Sequence, residues 1–553
     1  MPYFSISGQI VDIIHRRIFP GTITVKNGAI SSIKEESVSE KRYILPGFVD
    51  AHVHIESSLV VPSEFARLAV IHGTVATISD PHEIANVLGI EGIRYMLKNA
   101  AQVPFKFYFG ASSCVPATSF ETAGAVLSVD EIDTLFQTDG LKYLSEMMNY
   151  PGVLHKDPMV MAKIECAKKY KKPIDGHAPG LMGEDAKTYI QAGISTDHEC
   201  FQLDEAKNKL ANGMKIIIRE GTAAKNFEAL HSLFSTNPDE LMFCSDDKHV
   251  DDLVKSHINA LCKRAFEKGH RLMDILRAAS LHPVMHYGLD VGLLRVGDPA
   301  DMITMNDLEN FVPTATYING QIVAKDGKSE IARSLVSVMN HFSTSPKTES
   351  QFRIKAEGDT LRVIVALDGE LITKSQMVPA KIDRDGFLEP DLQEDILKIT
   401  VVNRYSDAAP AVAFIKNFGL KNGAIASTVA HDSHNIIAVG TSDALITKAV
   451  NALVATQGGL AAVTDTEEKI LPLPVAGLMS NEDGWVVARE YEALQKFVQE
   501  KIGTTLKASP FMTLSFMALL VIPELKLSDK GLFDGTRFEF VPLTQSIAKK
   551  KVV

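Results

Sequence analysis

His52 and His54 stand two residues apart in Ile44-Leu45-Pro46-Gly47-Phe48-Val49-Asp50-Ala51-His52-Val53-His54, where an extended backbone points both imidazoles to one face. Glu146, His177, His198 and Asp246 follow along the chain, each at the end of an apolar, strand-like run. A single histidine after such a run is more often a hydrogen-bonded core residue. Recurrence of the pattern in order along the chain is what points to a metal site. Imidazole and carboxylate ligands without thiolates suit Zn, Mn or Fe, and two divalent cations about 3.5–4 Å apart turn a bridging water into hydroxide that attacks an electrophilic carbon.

Each ligand has an expected place in that chemistry. Glu146, the carboxylate closing the fourth run, is the expected bridge between the two ions, with His52 and His54 on one and His177 and His198 on the other. Asp246, closing the eighth run, is the expected ligand that also takes the proton of the attacking water. Asp175 and Asp197 are expected to orient the neighbouring imidazoles or to cap helices. Asp247 should point away on an extended strand and cap the helix after it.

These residues need elements to position them. Between residues 45 and 287, β-like runs end near Val49, Ser79, Ala111, Ser145, Asp175, Thr196, Arg219 and Ser245, separated mostly by stretches of helical character. Eight strands alternating with helices predict an α/β fold, a (β/α)8 TIM-type barrel, whose catalytic groups lie at the C-terminal strand ends where all the ligand clusters fall. Gly193, Gly213 and Gly269 follow amphipathic stretches as C′ glycines do, and Pro62 fits a first helical position. Residues 1–44 carry short strands with an Asn27-Gly28 hairpin signal. Similar patterns return over 288–345, so both flanks are expected to build one small composite β domain. An exposed connection around Ser343–Ser350 then leads to a C-terminal α/β domain over 350–553, with strands at Gly423–Ala430, Asn435–Gly440 and Gly459–Val463 and a helix from about Asp443 to Thr456.

Composition narrows the function classes. Among 553 residues, 45% are hydrophobic and 23% charged, ordinary values for a folded chain. The formal net charge is −11 and no long basic run precedes Lys549-Lys550-Lys551, which argues against nucleic acid and for a small-molecule substrate. Five cysteines without CxxC spacing indicate neither a disulfide framework nor a thiolate zinc site, so a reducing cytoplasm is expected. The N-terminus shows no secretory signal. The apolar stretch from Phe516 to Pro523 is far shorter than the roughly 20 residues that cross a bilayer, so no membrane role is expected. A homo-oligomer, a dimer in the simplest case, is compatible with exposed β edges and an acidic surface.

Pro46-Gly47-Phe48-Val49-Asp50-Ala51-His52-Val53-His54 followed by this strand pattern resembles the amidohydrolase superfamily. More specifically, Ile55-Glu56-Ser57-Ser58, Ser79-Asp80-Pro81-His82-Glu83-Ile84-Ala85-Asn86-Val87-Leu88-Gly89, Ser145-Glu146-Met147-Met148-Asn149, Asp175-Gly176-His177-Ala178-Pro179-Gly180-Leu181 and Ile218-Arg219-Glu220-Gly221-Thr222-Ala223-Ala224-Lys225-Asn226 are similar to the bacterial adenine deaminase family. Arg404-Tyr405 and Ala430-His431-Asp432-Ser433-His434-Asn435 resemble that family's C-terminal domain. The resemblance implies hydrolysis of adenine to hypoxanthine and ammonia at a binuclear centre, two divalent ions with Mn2+ ahead of Fe2+ or Zn2+, in purine salvage. The cytidine-deaminase zinc signature is absent.

Under this reading the metal shell is His52, His54, Glu146, His177, His198 and Asp246, with Asp246, Glu146, His198 and Glu83 in catalysis. Glu56, Asp80, His82, Glu199, Arg219, Glu220 and Asn226 are the expected substrate contacts. Glu56, Glu83, Glu199 and Glu220 compete for proton delivery. His431 and His434 are expected on a loop that closes over the barrel mouth or at an interface. Two other readings are cyclic-amide or N-acyl hydrolysis, which commonly uses a bridging lysine absent from Leu144–Asn149, and a non-catalytic scaffold, which should have lost ligands.

Overall fold

Alternation of apolar and polar residues builds the first strands. The computed structural model describes residues 3–222 and 224–546; the Lys549-Lys550-Lys551 run and Ala223 lie outside the described residues. Strands β1 (Tyr3–Asp12), β2 (Arg17–Lys26) and β3 (Ala29–Glu35) form an antiparallel meander, and β4 (Tyr43–Pro46) pairs in parallel with β1. The β2–β3 turn is Asn27-Gly28, both at positive φ (55° and 85°), the conformation a two-residue hairpin turn requires.

The next strands are buried at almost every position, as parallel strands covered on both faces must be. They are β5 (Phe48–Val53), β6 (Thr74–Ser79), β7 (Lys106–Phe109), β8 (Leu144–Met147), β9 (Ile174–Gly176), β10 (Thr196–Asp197), β11 (Lys215–Arg219) and β12 (Leu241–Cys244). β5–β6–β7, β8–β9 and β10–β11–β12 pair in parallel. Parallel bridges join Ala111 to Leu144 and Val53 to Asp246, and Ser195 N donates to Ile174 O at 2.9 Å, so hydrogen bonds also link one group to the next and the last to the first. Helices follow most strands: Pro62–Ala69, with Pro62 at its start, His82–Leu88, Val129–Thr138, Pro158–Lys169, Gly183–Gln191, Leu203–Ala211 and Ile258–Glu267.

The chain then returns to its first sheet. β13 (Met302–Met305), β14 (Pro313–Ile318), β15 (Gln321–Lys325) and β16 (Lys328–Ser329) extend it through β4, giving the order β16-β15-β14-β13-β4-β1-β2-β3. Beyond it, a nine-stranded sheet between Thr360 and Gln545 packs the helix Asp443–Thr456 against Ala424, Ala426, Ile436, Ala438, Ala461 and Val463. The stretch Ser343–Ser350 is mostly exposed, as its composition leads one to expect, but it is tied down at Thr344 and Lys347. Lys347 is buried there with its ammonium on Asp407, and its backbone N–H donates to Asn451 at 2.7 Å. No described helix is long and apolar enough to cross a membrane, and all five cysteines are free.

One buried charge ties the first parallel strand to the last. Asp50, fully buried in β5, accepts from Ser245 N at 3.0 Å, from the Ser245 hydroxyl, and from His257 Nε2 at 2.8 Å; His257 Nδ1 in turn meets Thr74 Oγ1 at 2.7 Å. Removing one partner of such a network strands the rest away from water, at a cost of about 3–5 kcal/mol. Asp50→Ala is therefore expected to lower the urea midpoint of unfolding sharply, and an unchanged midpoint refutes this role.

Candidate metal centre and active site

The ends of the parallel strands bring five histidines and several carboxylates to one place. His52, inside β5, and His54, just past it, face each other with Nε2 atoms 3.2 Å apart. Glu146 at the end of β8 lies between two groups of imidazoles. Its Oε1 is 3.2 Å from His54 Nε2 and 4.0 Å from His52 Nε2, and its Oε2 is 2.7 Å from His177 Nδ1 and 3.3 Å from His198 Nε2. Asp246, immediately after β12, places Oδ1 3.2 Å from His54 Nε2 and 3.6 Å from His52 Nε2. Its φ of 50° turns the chain out of the strand, and the Asp246 N–H donates to His52 O at 2.9 Å.

These distances fit cations better than hydrogen bonds. Two Nε2 atoms 3.2 Å apart cannot both carry protons, and donors about 2 Å from a shared ion stand near 3 Å from one another. His198 is 1% exposed with neither ring nitrogen hydrogen-bonded, and His52 Nδ1 and His177 Nε2 are likewise buried without partners. Buried polar atoms are rarely left so. His52, His54 and Asp246 form one group able to hold an ion, and His52, Glu146 and His198 another; His54, Asp80, His82 and Glu146 form a third. The donor set is nitrogen and oxygen only, as divalent Mn, Fe or Zn accept.

Charge is balanced around the carboxylates. Burial pushes Asp246 upward, but Arg219 beside it holds it well below the usual range. Arg219, fully buried, donates to Asp246 Oδ2 and to both oxygens of Glu199, its second guanidinium nitrogen at 3.1 Å. Glu146 is held down in the same way, against burial, chiefly by His177.

Several expected residues lie elsewhere or do something else. Glu220 pairs with Arg264 at 2.7 Å in a separate cavity with Lys225 and Lys248, because it follows β11 on the face away from the imidazoles. Asn226 lies behind the site: its Oδ1 accepts from Arg219 N at 2.7 Å and its Nδ2 donates to His198 O at 2.9 Å, so it holds the two chain segments together. Glu56 accepts from Ile84 N at 3.1 Å at the start of the helix His82–Leu88, and burial raises it to about 7. Asp175 and Asp197 do not orient His177 and His198. Asp175 accepts from Thr196 Oγ1 and Tyr287 OH, and Asp197 accepts from Lys209 Nζ at 2.6 Å, a buried ammonium that also reaches Glu205 and Ala178 O. Asp247 caps no helix; it is half-buried against the Ser57 hydroxyl and lines the site cavity, since the positive φ at Asp246 breaks the strand alternation.

Asp80, His82 and Glu83 do reach the site. Asp80 Oδ2 meets His82 Nδ1 at 3.1 Å, and His82 Nδ1 lies 3.5 Å from Glu146 Oε1. Glu83 lines the cavity and is held by His431 and His434 from the C-terminal sheet. Apart from Met148, the remaining wall is C-terminal too: Asp432, Leu371, Phe516, Leu519 and Ile522. Asp432 lay within a string already singled out. Leu371 carries no local signal, and Phe516–Ile522 showed only an apolar run without an obvious partner.

Comparison with known proteins agrees with this arrangement. Residues 43–323 match the amidohydrolase family and residues 370–539 the adenine deaminase C-terminal domain. The adenine deaminase of Sulfurovum sp. (strain NBC37-1) is 58% identical over 531 residues, covering 96% of this chain and 98% of that protein. That of Salinibacter ruber (strain DSM 13855 / M31) is 53% identical over 539 residues, covering 97% and 98%. That of Borreliella burgdorferi (strain ATCC 35210 / DSM 4680 / CIP 102532 / B31) is 48% identical over 552 residues, covering 98% and 100%. Likeness at this level over nearly the whole length, with both domains matched, means that the chain belongs to the adenine deaminase family of amidohydrolases.

Proposed function

We propose that the chain hydrolyses adenine to hypoxanthine and ammonia. The observation that carries this reading is the convergence of His52, His54, His177 and His198 on the two oxygens of Glu146, with Asp246 beside His52 and His54, in a chain whose relatives are named adenine deaminases. Those six residues would hold two divalent ions, Mn2+ first, and bound ions would polarise water and the substrate. Asp246 takes a proton from the attacking water, and Arg219 keeps that carboxylate ionised and aimed. His82, Glu83, Glu199 and Arg219 face the substrate, with Asp80 behind them on His82. No lysine stands in Leu144–Asn149 around Glu146, which favours this reading over a carboxylated-lysine hydrolase.

Parallel pairing from β5 round to β12, with the Val53–Asp246 bridge, supports a closed (β/α)8 barrel over 45–287. The first sheet supports a composite β domain from 1–44 and 288–345, and the nine-stranded sheet a C-terminal domain over 350–553. A cytoplasmic homo-oligomer acting in purine salvage fits the free cysteines and the exposed edge strands β3 and β16.

Two measurements test the reading. Protein loaded with Mn2+ is expected to release ammonia from adenine, and Asp246→Asn to lower kcat by about 10³-fold with adenine still bound; absence of turnover in the loaded wild type refutes it. Prolonged chelation is expected both to abolish turnover and to lower the thermal midpoint, because ions that bind only the folded chain stabilise it. Restoration of both by Mn2+ is expected, and a midpoint indifferent to chelator counts against the proposed ligands.

A further inference from the structure

Glu83 is held between two imidazoles that differ in one respect. His431 Nδ1 lies 2.6 Å from Glu83 Oε1, and His434 Nε2 contacts Glu83 Oε2. The backbone N–H of Ala430 donates to His434 Nδ1 at 3.2 Å, so that nitrogen is the acceptor and the proton resides on Nε2. His434 therefore donates to Glu83, which argues against a cation held by Glu83, His431 and His434 together. His431 has no such partner. Its Nε2 is buried without a hydrogen bond, its ring stacks on Phe516 at 4.5 Å between centroids, and it lines the same cavity as the proposed metal ligands, whereas His434 does not.

We propose that His431 is a catalytic acid of this reaction, its Nε2–H meeting a ring nitrogen of the bound purine and passing its proton there as water adds at the amino-bearing carbon. The inference rests on the adenine-hydrolysis reading. Burial alone would depress the imidazole, but Glu83 beside it carries it up to about 9, which keeps both nitrogens protonated near neutral pH. His434 is instead held down by burial to about 4, so it stays a neutral donor.

The protons balance. Asp246 takes one proton from the attacking water, and His431 gives one to the ring nitrogen as the new C–O bond forms. On collapse, the C–N bond breaks with its electron pair going to nitrogen, and ammonia departs with the proton that Asp246 held. The hydroxyl proton released as C–OH becomes C=O returns to His431. The loop carrying His431 is rigid enough for the task. Tyr405 OH donates to Ser433 O at 2.6 Å, Asn435 Nδ2 donates to Thr122 O at 2.9 Å, and His431 N donates to Ser515 O at 3.1 Å.

Two variants separate proton transfer from mere support of Glu83. His431→Asn keeps an amide donor near the place of Nδ1 and removes the cavity-facing nitrogen; His431→Gln reaches into the cavity with an N–H that cannot be given up. Both are expected to retain bound metal and an adenine KM within about threefold, while kcat falls about 100-fold or more. A folded His431→Asn or His431→Gln protein with kcat near wild type overturns the role. So does a fall in kcat accompanied by loss of metal from both, which would show that His431 acts only through the fold. Wild-type protein in the same assay separates the two readings: no ammonia from adenine there refutes adenine hydrolysis itself, whereas turnover undiminished in the variants refutes only the part given to His431.

Discussion

Two buried carboxylates, Glu146 and Asp246, set the terms for the rest of the molecule. Neither can be ionised away from water without compensation, and the fold supplies it from several strand ends at once: His54 to both, His177 and His198 to Glu146, Arg219 to Asp246. Even so, the imidazole nitrogens outnumber the hydrogen bonds open to them, and several stay buried and unpaired. A scaffold carrying such a deficit is arranged for cations.

Rigidity behind that site comes from a second layer of buried charge. Asp50 anchors β5 to Ser245 and His257, Lys209 gathers Asp197, Glu205 and Ala178, and Asn226 clips β11 to His198. Asp50, Lys209 and Asn226 do not themselves line the cavity. Each fixes the backbone from which a cavity-facing side chain projects, as positional precision at a polar site demands.

The C-terminal sheet is not an appendage to this arrangement. One core runs from the parallel strands into Leu371, Phe516, Leu519 and Ile522, the same residues that roof the site. Their apolar character belongs to that roof: a polar lining there would compete for the protons and charges gathered below. His431 and His434 arrive across the same contact, so the residue that holds Glu83 in place comes from more than 300 positions further along the chain.

Period and punctuation carried much of this in the sequence. The strand ends at Ser79 and Arg219 and close to Ser245, the turn at Asn27-Gly28, the helix Asp443–Thr456 and the convergence of His52, His54, Glu146, His177, His198 and Asp246 follow from local pattern plus the rule that parallel strands present their C-terminal ends together. What the pattern could not decide was partnership. Asp175 and Asp197 sit two and one residues before ligating-type histidines yet bond to Tyr287 and Lys209, Glu220 adjoins Arg219 yet turns to Arg264, and Asp247 is drawn inward by a left-handed φ at Asp246. Backbone periodicity is a property of neighbours in the chain and is written locally. The partner of a buried charge is chosen by whichever opposite charge or donor folding brings within about 3 Å, and that distance exists only in the tertiary structure.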